Sequence, residues 1–307
     1  YAKTKARYRA LREEAKRQPN GLFYDFNPKG ALEVSEEERR AEFERRWAVG
    51  GTMFVGAYAD LMKDRDANET AAEFVRSKIR EIVEDPETAE TLSPDNVFGC
   101  KRLCVDTDYW ATYNRPDVEL VDVSGEPIER ILPGGVRVAG KVYEVDALVL
   151  ATGFDAMTGA MLNIDIRGRG GLPLREKWAE GPYNYLGLAI AGFPNMFMVA
   201  ATGSPAVFAN VITGIEQHIE WIADCLGYMT EKGLGEIEAE EAAEADWTDH
   251  MREVGEVSLR SQCDSWYVGA NIPGKPRVFT PYVGTVPDYD ARCDEAARKG
   301  YEGFRLA

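Results

Sequence analysis

Two stretches of this 307-residue chain each carry a continuous apolar segment into a turn of small residues: "DALVLATG" at 146–153 and "FPNMFMVAATGSP" at 193–205. Consecutive apolar positions over so short a run predict strands buried on both faces, as in a parallel sheet. In open α/β sheets the turn after such a strand lets backbone approach a ligand closely, and the next helix turns its N-terminus toward negative charge. The two strand ends, Thr152-Gly153 and Gly203-Ser204-Pro205, thus read either as the walls of a cofactor crevice or as ordinary core strands with tight turns. Pattern alone leaves both readings open.

The flanking sequence divides by period. Residues 1–18 read as a charged helix stopped by "QPNG". Ser35 and Glu38 stand at capping-box spacing ahead of a helix that ends at Gly50-Gly51. Phe74, Val75, Ile79, Ile82 and Val83 share one face of a third helix, closed by Pro86. After Tyr113 the period shortens, and 118–123, 127–132, 135–140 and 141–154 are strand-like. A helix over 210–228 carries Val211, Ile215, Ile219, Ile222 and Leu226 on one side. Residues 235–254 read as an amphipathic helix with a solvated acidic face, and 290–304 as a last helix.

The composition narrows the function. Fifty-two acidic against 36 basic residues, a net charge of −16, argue against nucleic acid as a partner. No run of 18 apolar residues predicts a membrane span, and the N-terminus lacks a signal-peptide core. Both histidines, His218 and His250, sit in helical patterns as surface or packing residues, which leaves little material for a Ser-His-Asp arrangement or a metal site. Five cysteines without a CxxC read as reduced thiols of a cytoplasmic protein rather than a zinc site. There is no GxGxxG and no P-loop; the "RGRGG" at 167–171 neither follows a buried strand nor opens a helix. Any dinucleotide phosphate turn must come from elsewhere. The missing initiator Met suggests a processed chain or part of a longer one.

One cationic pair stands out in so acidic a chain: Lys101-Arg102 in "GCKRLCVDTDYW" at 99–110. Taken alone it is a solvated loop pair. Together with "ALEVSEEE" (31–38), "DRDANETAAEFVRSKIREIVEDPETAE" (64–90), "DALVLATGFD" (146–155), "GIEQHIEW" (214–221), "SWYVGANIPGKPRVF" (265–279) and "KGYEGF" (299–304), it makes the chain resemble the C-terminal portion of type I Baeyer–Villiger monooxygenases. The phenylacetone monooxygenase branch is the nearest, and the resemblance covers effectively the whole chain.

That resemblance implies an α/β fold: two Rossmann-like dinucleotide-binding domains of a flavoprotein monooxygenase, present as their C-terminal parts with a helical insertion. Residues 1–142 would belong to the NADP-binding domain, 143–155 to an interdomain linker and 156–307 to the FAD-binding domain. It implies oxidation of ketones to esters or lactones with NADPH and O2, by way of a C4a-peroxyflavin. Arg102 takes the place of the catalytic arginine. An always-charged planar fork suits the stabilisation of an oxygen anion. Lys101, Arg102 and Trp266 would contact NADP; Gly153 and Val211 would contact FAD; Ala206, Val207 and Phe208 would line the substrate pocket. Phe208 is larger than the aliphatic residue of that branch, and Ala201-Thr202 replaces a usual Gly-Pro.

The family's FAD and NADP glycine motifs, and the aspartate that orients the arginine, are not in this sequence. A partner is therefore expected, either a second chain or an upstream segment that completes both sheets, because parallel sheets are covered on both faces. The rival readings are a flavin-dependent S- or N-oxygenase, disfavoured because N-hydroxylases lack a stretch like "KRLCVDTDYW", and a catalytically silent fragment.

Overall fold

A computed structural model describes residues 1–307, the side chain of Met53 excepted. Helices α1 (Ala2–Ala6) and α2 (Tyr8–Lys16) come first, then α3 (Glu36–Val49), whose N-cap Ser35 Oγ accepts from the Glu38 N–H at 3.2 Å, as the capping-box spacing predicts. In α4 (Arg65–Ile82), capped by Asp64, Ala67, Ala71, Phe74 and Ile79 are buried. Pro86 does more than close this helix: it is the first residue of α5 (Pro86–Leu92), where its missing N–H costs nothing. A short α6 (Tyr109–Thr112) follows. Phe43, Phe54, Tyr58, Leu61 and Phe74 form the core of this helical part.

An antiparallel meander comes next: β1 (Ile128–Leu132), β2 (Gly135–Val138) and β3 (Lys141–Glu144). Its second hairpin turns through Ala139 and Gly140, both at positive φ, the requirement of a two-residue turn that matches strand twist. Beyond it lie α7 (Gly159–Leu162), α8 (Leu174–Lys177), α9 (Val211–Lys232), β4 (Ile237–Ala239), α10 (Glu241–Glu256), α11 (Val286–Arg298) and β5 (Phe304–Leu306). β4 and β5 pair antiparallel and close a core of Leu188, Trp221, Cys225, Trp247, Tyr282, Tyr289 and Cys293. The first twenty residues lie on this C-terminal part, through Arg12–Glu216, a Lys16–Glu220 pair at 3.6 Å and the Val286 N–H donating to the Pro19 carbonyl at 2.7 Å.

Four expectations need correction. "DALVLATG" is not a buried strand. Val149 is 86% and Phe154 90% exposed, and no backbone N–H of 146–154 donates a hydrogen bond among the described residues. A strand needs neighbours for its N–H and C=O groups, and these residues supply none. Residues 118–123 and 195–201 likewise stay outside any ladder, although Met198 is buried and its N–H reaches the Leu188 carbonyl.

Second, the expected packing side of α9 is largely open. Val211, Ile219 and Leu226 are exposed, whereas His218, Trp221, Cys225 and Met229 face the core. Third, the acids of 235–254 are not all solvated. Glu244 is buried, accepting from the Ala191 N–H at 3.0 Å and from Lys177 Nζ at 2.6 Å. Glu238, in β4 rather than in a helix, accepts from the Gly192 N–H and pairs with Arg169 and Arg305. These carboxylates satisfy backbone donors that no ladder reaches. Fourth, the cysteines are not all free thiols. Cys100 and Cys263 are bridged, with Cα atoms 5.9 Å apart, which leaves Cys104, Cys225 and Cys293 unbridged.

Candidate functional site

The loop that carries Lys101 and Arg102 is held from below. Buried Asn68, in the apolar face of α4, donates through Nδ2 to the Leu61 and Phe98 carbonyls at 2.7 and 2.9 Å, and its Oδ1 accepts from the Phe98 N–H at 2.8 Å. Cys100 then ties the loop to Cys263. A second anchor joins the same two regions: the Leu259 N–H donates to the Met62 carbonyl at 2.8 Å.

The segment after the second predicted strand end is equally fixed. Gly203 has φ +80°, and a Cβ there would come within 2.4 Å of Asn184 Oδ1, so glycine is required on both counts. Ser204 Oγ donates to the Ala201 carbonyl at 2.7 Å, and the Asn20 amide to the Phe208 carbonyl at 3.0 Å. Asn210 caps α9 by accepting from the Ile212 N–H. The side chains at the unusual Ala201-Thr202 pair find room. Ala201 packs against the cluster that holds Leu174 and Phe193, and the Thr202 hydroxyl donates to the Thr280 carbonyl at 3.2 Å.

Arg102 Nη1 donates to the Val207 carbonyl at 3.1 Å, which brings the two loops together across 105 residues of sequence. They enclose a cavity of about 290 Å³, lined in part by Lys101, Arg102, Val207, Phe208, Arg260 and Tyr267. No carboxylate lines it. Phe208 rests edge-on against buried Tyr267, ring centres 4.9 Å apart, and the Arg260 guanidinium sits 4.6 Å from the Phe208 ring centre. Burial raises the Tyr267 phenol above its usual range, with Arg260 and Arg102 pulling the other way.

Of the residues predicted from sequence, Lys101, Arg102, Val207 and Phe208 meet at this cavity. Ala206 and Val211 flank it without lining it. Trp266 is half-buried against Tyr267 and borders a separate hollow of about 40 Å³ with Met157, Thr158 and Lys275. There the 265–279 segment grips the end of the exposed apolar run: Lys275 Nζ contacts Asp155 at 2.5 Å and the Ala156 carbonyl at 2.8 Å, and the Asn271 amide donates to the Phe154 carbonyl. Gly153, at φ +81°, lies just ahead of that grip with no side chain against it.

Sequence reasoning missed Asn68, Cys263 and Arg260. The signal for Asn68 was an amide in the alanine face of a helix. Cys263 and Arg260 stand in a turn with no local pattern to mark them.

These groups fit an anionic, oxygen-rich nucleotide pair. Arg102 spends one N–H on Val207, Lys101 makes no ion pair, and the Trp266 indole N–H finds no acceptor among the described residues. The fold is that of the C-terminal portion of a flavoprotein monooxygenase.

No family profile matches the chain. Individual proteins do. Cyclohexanone 1,2-monooxygenase of an Acinetobacter species is 39% identical over 279 residues, 90% of this chain and 51% of that protein. A Baeyer-Villiger monooxygenase of Pseudooceanicola batsensis is 36% identical over 303 residues, 98% of this chain and 55% of that protein. A phenazine N-monooxygenase of Lysobacter antibioticus is 40% identical over 279 residues, 90% and 51%. Among solved structures, an oxidized steroid monooxygenase bound to NADP superposes with a TM-score of 0.92 at 44% identity, over 99% of this chain and 57% of that one. The chain is the counterpart of the C-terminal portion of a Baeyer–Villiger monooxygenase, and it spans about half the length of the curated relatives it matches.

Proposed function

We propose that this chain forms the C-terminal half of an FAD- and NADPH-dependent enzyme that converts ketones to esters or lactones, and that Arg102 is its catalytic cation. The observation that supports this best is the Arg102–Val207 bond over a cavity with no carboxylate. Bound together, the two nucleotides supply the reducing equivalents and activate O2.

The chain's own residues do the rest. Arg102, fixed by one hydrogen bond, keeps its other N–H groups for negative charge that develops on oxygen, and it cannot lose its proton. Lys101 and the Trp266 indole N–H hold the nicotinamide nucleotide; Gly153 and Val211 approach the flavin; Ala206, Val207 and Phe208 shape the ketone pocket. The 1–142, 143–155 and 156–307 division into NADP domain, linker and FAD domain belongs to the same proposal. So does a partner region carrying the glycine motifs, which the unpaired runs at 118–123 and 146–154 would join as strands. The chain by itself is inactive on this reading. A cytoplasmic location also belongs to the proposal; the three unbridged cysteines agree with it, and the Cys100–Cys263 bridge runs against it.

A phenazine N-monooxygenase stands among the relatives, so nitrogen oxidation is the reading to test against, although the ketone monooxygenases among them support ketone oxidation. Similarity along this length evidently does not separate ketone from nitrogen chemistry. Product analysis of the intact enzyme, offered cyclohexanone, a thioether and a phenazine, decides: lactone as the main product supports ketone oxygenation, and N-oxide alone overturns it.

A further inference from the structure

Arg260 is a charged residue of the cavity that none of these roles uses. It lies in the single turn Leu259–Gln262, fixed by the Leu259–Met62 bond, by the Cys263 bridge and by Arg65 Nη2 donating to Gln262 at 2.9 Å. Its guanidinium forms no ion pair and no hydrogen bond among the described residues, and its Nε is buried without a partner. The side chain is half-buried with no counter-ion, an arrangement that costs solvation, and this desolvation lowers its affinity for the proton. The Phe208 face offsets part of that cost, but it accepts none of the five N–H groups. Leu22, Phe26, Val55 and Leu103 supply apolar wall in the same cavity. A half-buried fork with free donors and a buried Nε, an aromatic plate beneath it and apolar walls around it suits an organic anion, a carboxylate on a hydrophobic body.

We propose that Arg260 is a specificity-determining residue that receives the carboxylate of an acidic ketone, whose apolar body lies against Phe208. The proposal deepens the ketone-oxygenase reading and rests on it for the identity of the substrate. Arg102 and Arg260 would then divide the work, one for charge that appears during reaction and one for charge the substrate already carries.

The test uses the intact enzyme with two shape-matched ketones, 4-(3-oxobutyl)benzoate and 4-(4-methylphenyl)butan-2-one. Arg260→Met is expected to lower kcat/KM for the acid about 10- to 100-fold, the range of a charge-assisted hydrogen bond, and to change the neutral ketone less than about threefold. Arg260→Lys should recover part of the loss. Equal losses on both ketones overturn the proposal.

Calorimetry with benzoate and with inorganic phosphate, on the same proteins, gives a readout free of turnover. Weaker benzoate binding in the Met variant supports the carboxylate site. Unchanged benzoate binding overturns it, as does a loss confined to phosphate, which would assign Arg260 to the nucleotide. If wild type oxidises neither of these ketones nor cyclohexanone, the oxygenase reading fails, and the benzoate titration still decides the anion site. A Tm that rises in Arg260→Met supports an unpaired cation; a Tm that falls with no change in benzoate binding marks a purely structural arginine and overturns the proposal.

Discussion

Arg102 is exposed and reaches the cavity through one backbone bond, so its removal should disturb chemistry more than folding. In the intact enzyme, Arg102→Ala is expected to abolish ester or lactone formation while flavin reduction by NADPH stays measurable. Stopped-flow absorbance and product analysis check the two halves separately. Normal product formation would remove Arg102 from the mechanism. Asn68 poses the complementary case, because it is buried and both of its amide groups serve backbone. Asn68→Ala leaves the Phe98 N–H and two carbonyls short of partners, at a cost of roughly 1–3 kcal/mol each if they stay dry. A lower Tm with a drop in kcat larger than any change in KM is the expected pattern, since the loop above it carries Arg102. Thermal melts and steady-state kinetics read both.

Among the elements, α9 shows what a sequence discloses and what it withholds. Its existence and its start follow from local pattern, although the expected 210–228 stops short of Lys232, and its buried face does not, because apolar residues cover a wide arc and only the neighbours decide which edge is packed. The meander and the capped α3 were legible for the same local reason. Arg260 and Cys263 were not, since their partners lie far away in sequence. The packed edge of α9 carries a titratable device. The Ala200 N–H donates to His218 Nδ1 at 3.1 Å, so the proton sits on Nε2, 2.8 Å from the Tyr289 hydroxyl, which donates in turn to the Leu186 carbonyl. Burial lowers the His218 pKa to about 4. Below pH 6.5 the unfolded chain binds a proton that the folded chain refuses until about pH 4. Stability is therefore lost as pH falls through that window, by roughly 3 kcal/mol in all. Urea midpoints should drop more steeply between pH 6.5 and 4 in wild type than in His218→Gln; parallel curves would show that the imidazole is not the cause.

For the whole molecule, the distribution of unpaired backbone matters more than any single contact. Residues 146–154 combine apolar side chains in solvent with N–H groups that have no partner, and their far end is gripped by Lys275 and Asn271 rather than loose. That is how a strand looks when the chain holds its end in place but not its neighbours; residues 118–123 also run outside any ladder, but with Val118, Leu120 and Val121 half-buried and the Val118 N–H donating to the Arg115 carbonyl. The exposed Val211, Ile219 and Leu226 edge of α9 is a helix face that a parallel sheet would cover. Hydrogen exchange can test whether strands of the proposed partner region complete these sheets. In the isolated 1–307 polypeptide, the amides of 146–154 should exchange at near-random-coil rates while those of β2 and β3 are protected. In the intact enzyme the same amides should slow by at least about a thousandfold, the protection expected of a core strand with several kcal/mol of local stability. Equal, fast exchange in both would mean that this segment never joins a sheet, and the two-domain reading of the cavity would lose its frame.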